Sequence, residues 1–130
     1  MTPDPVFSDA WLKRFQERVN ADPELDIIGR WFTIAFSISC GERRVVLRFE
    51  RGKITEIIPA PRIDVRSAFG FRAAPEIWAK FLSREPEPIY HDFFAMLMRV
   101  PGFVLEGDTL VAMQNARALH RAMNIMRLTG

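Results

Sequence analysis

The side chains able to do chemistry are few, and their spacing argues against catalysis. His91 and His120 are the only histidines among 130 residues. Neither stands in the His-x-x-x-His or cysteine-rich spacing that holds a metal. His91 falls in Tyr90-His91-Asp92 near an expected helix start, and His120 lies inside the last helix, so a solvent-facing or capping role is expected for each. The lone Cys40 sits beside Gly41 in a turn without a partner histidine motif, which excludes an intrachain disulfide and argues against a catalytic thiol. Ser37, Ser39, Ser67 and Ser83 lack the strand–turn–helix setting of a nucleophile elbow. Gly102 and Gly107 flank one short strand and no Gly-Lys-Ser/Thr follows, so there is no phosphate-binding loop.

A different constellation stands out. Met96, Met98, Met113, Met123 and Met126 come from two expected helices, with Phe36, Phe49, Phe71, Phe81, Phe93, Phe94 and Phe103 nearby in the expected fold. Thioethers are flexible and polarizable, so such a wall adapts to apolar ligands of different shape. The same residues also serve as an ordinary core, and both readings stay open. A pocket needs polar groups at its mouth. Arg72, Lys80 and Arg99 are the candidates for a carboxylate or phosphate headgroup, and the sequence does not rank them.

The elements that position these residues follow from periodicity. Ser8 is expected to cap a first helix running to about Asn20, with Trp11, Leu12, Phe15 and Val19 on one face. Asp22-Pro23 opens a short second helix that fades by Gly29. From Arg30 the period becomes two: Phe32, Ile34, Phe36 and Ile38 alternate with small polar residues. Gly41-Glu42 then makes a two-residue turn, which sets Ile38 opposite Val45, Phe36 opposite Leu47 and Ile34 opposite Phe49. A three-residue loop with Gly52 left-handed leads to a third strand and leaves Glu56 facing solvent; Pro59-Ala60-Pro61 stops that strand. A fourth strand is expected from Val65 to Arg72. A helix opened by Pro75-Glu76 carries Ile77, Trp78, Phe81 and Leu82, and the stiff connector 84–88 leads to another helix over about Tyr90 to Arg99. Finally, Gly102-Phe103-Val104-Leu105-Glu106-Gly107-Asp108 reads as a short strand and a turn. Asp108 caps one long helix from about Thr109 to Arg127. The order gives an α+β fold: a mainly antiparallel sheet with helices on one face and a long C-terminal helix.

Composition agrees with one globular domain over residues 1–130, with its core at about 9–127. Hydrophobic residues make up 48% of the chain, which excludes disorder, and the net charge is only +2. Arg43, Arg44, Arg48 and Arg51 form the densest basic run; it is interrupted by apolar residues and reads as a solvated hairpin face, so no nucleic-acid partner is expected. Met1-Thr2-Pro3-Asp4-Pro5 has neither the basic start nor the apolar core of a signal peptide, and no apolar run reaches the roughly 20 residues of a membrane span. A cytoplasmic protein without stable membrane insertion is the expectation.

Several of these features together resemble the sterol carrier protein type 2 family of lipid-binding domains. They are the Trp31 to Ile38 strand, the turn at Gly52, Pro75-Glu76-Ile77-Trp78, the Gly102 to Asp108 motif and the following Ala112-Met113. The likeness spans roughly Asp9 to Arg127. The family often has Lys-Leu where this chain has Phe103-Val104, and Pro101 precedes the motif. The resemblance implies a five-stranded sheet and, between sheet and helices, a tunnel for a fatty acyl, acyl-CoA or sterol-like ligand. It implies no cofactor, no metal and no catalytic residue. On that reading Phe36, Leu47, Phe49, Phe71, Trp78, Phe81, Phe94, Met98, Phe103, Leu105 and Met113 line the cavity. Two other readings compete: an interaction module with a filled core, dimeric or bound to a partner enzyme, and a cone-shaped nuclear-transport-factor-2-like enzyme using Asp92 and His91.

Overall fold

The computed structural model describes residues 7–59, 65–83 and 85–129. The N-terminal Met1 to Pro5, Ala60-Pro61, the first residue of the 84–88 connector and the terminal Gly130 lie outside the described residues. The element order is α1 (Asp9–Asn20), α2 (Pro23–Ile28), β1 (Ile34–Cys40), β2 (Arg43–Glu50), β3 (Lys53–Ile58), β4 (Phe69–Ala73), α3 (Pro75–Phe81), α4 (Phe93–Arg99), β5 (Val104–Gly107), α5 (Thr109–Gln114) and α6 (Ala116–Thr129).

Side-chain caps start α1, α2 and α5 where the sequence places them. Ser8 accepts from the Trp11 amide at 3.2 Å, Asp22 from Leu25 at 2.9 Å and Asp108 from Val111 at 3.1 Å. The β1–β2 hairpin has the expected register, with Ile38 on Val45, Phe36 on Leu47 and Ile34 on Phe49, and Gly41 turns the chain at φ +62°. Alternation and turn chemistry each fix this register independently, and they coincide.

The sheet is mixed, which corrects the mainly antiparallel expectation. Its order is β3-β2-β1-β4-β5, and β4 runs parallel to β1, with Phe36 beside Phe69 and Ile38 beside Phe71. β3, antiparallel to β2, also runs with β1, so β3 and β4 both start from the same end of the sheet as β1. β4 also begins at Phe69, four residues later than expected, because the segment ahead of it anchors by other means. Ala68 N–H donates to Ala35 O at 2.8 Å, and Ala68 O accepts from Asp108 N at 2.8 Å. β1 likewise begins at Ile34 rather than at Trp31, whose side chain is exposed.

The β2–β3 connection differs from expectation in a compensated way. Glu50 pairs with Lys53, so the loop has two residues, Arg51 at φ +53° and Gly52 at φ +79°. A bulge at Thr55 then shifts the register and sets Glu56 opposite Arg48 on the solvent face, where the two form an ion pair at 2.7 Å. Glu56 therefore faces solvent as expected, through a bulge and not through a longer loop. Gly52 also meets the end of α2: a Cβ there would lie 2.7 Å from Leu25 O. The outer edge of β3 is covered by α1, whose Asn20 and Gln16 amides bond the Ile54 backbone at 2.7–3.1 Å.

The C-terminal helix is two helices. Asn115 ends α5, donating from Nδ2 to Val111 O at 2.8 Å, and α6 continues for 14 residues beyond it. A side-chain amide competing with the backbone for the same carbonyl is a local reason for the break. The helix expected from Tyr90 starts at Phe93, because Asp92 caps it through the Phe94 amide at 2.9 Å.

Candidate functional site

The layer between sheet and helices is built from alternate residues of the strands. Phe36, Leu47, Phe49, Phe69 and Phe71 point to one face and are buried there, met by Trp78 and Phe81 of α3, by Phe93 and Met96 of α4 and by Phe103. The aromatic rings form a connected network. Phe71 contacts Phe36, Phe69, Phe93 and Phe103 with centroids 5.5–6.2 Å apart, and Trp78 lies 5.5 Å from Phe103 and 5.1 Å from Phe7. The Trp78 indole donates to Ser39 O at 2.8 Å, which satisfies its one polar atom and ties α3 to the end of β1.

The eleven cavity candidates divide by position. Phe36, Leu47, Phe49, Phe71, Trp78, Phe81 and Phe103 are buried together in this layer. Phe94 and Leu105 are half-buried against it, along with Leu97 and Val111. Met113 is partly exposed, and Met98 is 84% exposed, pointing away from the layer. The seven-residue α4 buries only Phe93 and Met96, so its apolar circumference overstates its burial. The headgroup candidates also separate. Lys80 and Arg99 are exposed on α3 and α4, Lys80 with its ammonium 5.0 Å from the Tyr90 ring. Arg72 lies on the other face of the sheet, paired with Glu106 at 2.7 Å.

That other face has a structure of its own. A groove of about 600 Å³ crosses β1 and β4 from the β1–β2 turn to β5, lined by Ser37, Ser39, Arg44, Ser67, Gly70 and Arg72 among others. From sequence alone, Arg44 reads as part of a solvated hairpin face and the serines lack a nucleophile setting. The predicted register already placed Arg44 opposite Ser39. What it lacked was β4 beside β1, which brings in Ser67, Gly70 and Arg72.

Among the described residues, Cys40, Asp92, His91 and His120 are the reactive groups to place. Burial pushes the Cys40 thiol above its ordinary range, with Glu76 adding to the effect and Arg43 opposing it, so its thiolate is disfavoured. Asp92 is engaged as the α4 cap and His91 is exposed. His120 Nδ1 stands 4.0 Å from Asp92 Oδ1 and makes no hydrogen bond among the described residues. Among the described residues, no group of three or more His, Cys, Asp or Glu side chains is placed to hold a metal ion. No helix of the described residues is long and apolar enough to cross a membrane.

A five-stranded mixed sheet in this order, with helices over one face and a terminal helix, defines the sterol carrier protein type 2-like fold, and comparison with solved structures bears this out. The chain is similar to a sterol carrier protein 2 crystal structure, with a TM-score of 0.74 and 16% identity over 94% of this chain and 97% of that one. It is similar to a conserved hypothetical protein from Thermus thermophilus, described as a candidate sterol carrier protein (TM-score 0.73, 15% identity, 100% and 93% covered). A UbiJ-SCP2 ubiquinone synthesis protein is a more distant likeness, at TM-score 0.59 and 10% identity over 88% and 90%. No protein-family model matches the chain, and no curated protein matches it significantly. The fold is similar to sterol carrier protein 2 structures and not to the cone-shaped alternative, and the Asp92 named for that alternative caps α4.

Proposed function

We propose that this domain binds an apolar, acyl-type ligand between its sheet and its helices and performs no chemistry of its own. The observation that carries this reading is α5. It packs on β4 and α6 yet buries only Ala112, while Leu110 is 66% exposed, Met113 is partly exposed and Val111 is half-buried. A helix with so much uncommitted apolar surface gains by re-seating on a ligand that enlarges the layer beneath it. The half-buried Phe94, Leu97 and Leu105 mark the part of the layer with room to yield, and the buried rings behind them form its floor. On the helical side, Lys80 and Arg99 are the headgroup contacts. The likeness to sterol carrier protein 2 supports fatty acyl, acyl-CoA or sterol-like ligands, and the likeness to a ubiquinone synthesis protein supports a carrier role within a biosynthetic pathway.

The test is mass spectrometry of organic extracts of the purified protein, with titration of a fluorescent acyl probe. The expected result is a co-purifying lipid and saturable probe binding that Leu110→Glu and Met113→Glu each weaken about tenfold, the worth of burying one apolar side chain. Empty extracts together with no probe binding refute the reading.

One observation favours a second reading. Phe36, Phe71, Trp78 and Phe81 are fully buried in ring-to-ring contact, as in a filled core. On that reading the exposed face of α5 meets a protein partner. Light scattering that shows a dimer, with no probe binding, selects it.

A further inference from the structure

The groove on the sheet face opposite the helices lies apart from the apolar layer. Its floor is kept open by Gly70, where a Cβ would collide with Ser37 Oγ. Ser37 is only 7% exposed, lines the groove, and its hydroxyl has no hydrogen-bond partner among the described residues. A hydroxyl that reaches the groove without a protein partner is free to donate to, or accept from, a group lying there.

The charges around it are unequal in their commitments. Arg72 is taken up by Glu106 at 2.7 Å. Arg44 instead donates from Nη2 to two neutral oxygens, Val65 O at 3.3 Å and Ser67 Oγ at 3.2 Å. It has no carboxylate partner among the described residues, and its Nε and Nη1 donors are uncommitted. A planar guanidinium with free donors is suited to grip a carboxylate in a bidentate fork. With Glu42 also in the lining, Arg44 and Arg72 are balanced by two carboxylates. The nearby carboxylates disfavour a phosphate dianion, and the one guanidinium without a carboxylate contact, Arg44, offers a single positive charge to a single negative one. The volume, about 600 Å³, is that of a small-molecule site.

The geometry points to a binding site for a small polar carboxylate, a hydroxy acid in type. Arg44 takes the carboxylate, and Ser37 and Ser39 bond the ligand's hydroxyl groups. Sodium gluconate, sodium acetate and inorganic phosphate, each titrated into ¹⁵N-labelled protein at constant ionic strength, test this. Gluconate is expected to give saturable shifts at the amides of Ser37, Ser39 and Gly70 and at Arg44 Nε, and to bind more tightly than acetate. Arg44→Gln weakens gluconate roughly ten- to hundredfold, as loss of a charge-assisted contact does, and Ser37→Ala weakens it several-fold with the charge intact. Lys13→Gln on α1 leaves it unchanged. Shifts that do not saturate, or that survive both groove variants, overturn the site. Phosphate binding tenfold tighter than gluconate overturns the carboxylate assignment.

Discussion

Replacing Phe71 by alanine probes the layer at its centre. The ring is fully buried, with neighbours Phe93 at 5.5 Å, Phe69 and Phe103 at 5.9 Å and Phe36 at 6.2 Å. Losing the transfer free energy of a buried phenyl group costs about 2–3 kcal/mol. An unrelaxed void of roughly 80 Å³, at about 24 cal/mol per Å³, adds about 2 kcal/mol. Phe71→Ala is therefore expected to lower stability by about 4 kcal/mol, a large share of the roughly 5–15 kcal/mol typical of a domain. Urea unfolding followed by tryptophan fluorescence measures this, with Met98→Ala as the exposed comparison, expected within about 0.5 kcal/mol of the parent. Saturating dodecanoate should then recover more stability in Phe71→Ala than in the parent, because the vacated volume lies where the chain is proposed to bind. At a hundredfold excess over Kd the gain reaches about 2.7 kcal/mol. A cost below about 1 kcal/mol, or one no larger than that of Met98→Ala, refutes the packing described here.

Three further outcomes are expected. Asp22, 8% exposed, takes two bonds from Arg121 at 2.6 and 3.1 Å; that hydrogen bonding, with the Leu25 amide, lowers its pKa against the opposing effect of burial. A lowered folded pKa stabilises above the unfolded value, near 3.9, and that stability is lost as pH falls through the folded value. Asp22→Asn should thus cost about 2 kcal/mol at neutral pH and flatten the loss of stability below about pH 4, as read by urea unfolding across pH. Gly52→Ala forces an alanine to φ +79° with its Cβ 2.7 Å from Leu25 O; a loss of about 2 kcal/mol or more in thermal unfolding is expected. Cys40, its thiol pushed up chiefly by burial, should react with a disulfide reagent at pH 8 more slowly than free cysteine does.

Legibility in the sequence followed the range of the forces involved. The β1–β2 register was readable because the Gly41 turn and the Ile34 to Ile38 alternation are both local and agree. The caps at Ser8, Asp22 and Asp108 are equally local. Which neighbour β4 takes is a tertiary choice, and residue pattern alone did not reveal its parallel seat beside β1. A two-residue loop followed by the Thr55 bulge gives Glu56 the same facing as a three-residue loop would, so residue pattern alone does not separate the two. Most of the apolar layer was legible as buried phenylalanines. The exposure of Met98 was not, since a short helix buries less than its composition suggests. The open-face groove was half legible: Ser39 and Arg44 face each other across one hairpin, and the rest depends on β4.

Titration of ¹⁵N- and methionine-methyl-labelled protein with dodecanoate tests the central claim most directly. The account expects saturable one-to-one shifts at Leu105, Val111, Met96 and Met113, where sheet and helices meet, with the open-face residues Ser37 and Gly70 unmoved. Shifts that fail to saturate, or that spread over the surface and leave Met96 and Leu105 unchanged, contradict a ligand between sheet and helices.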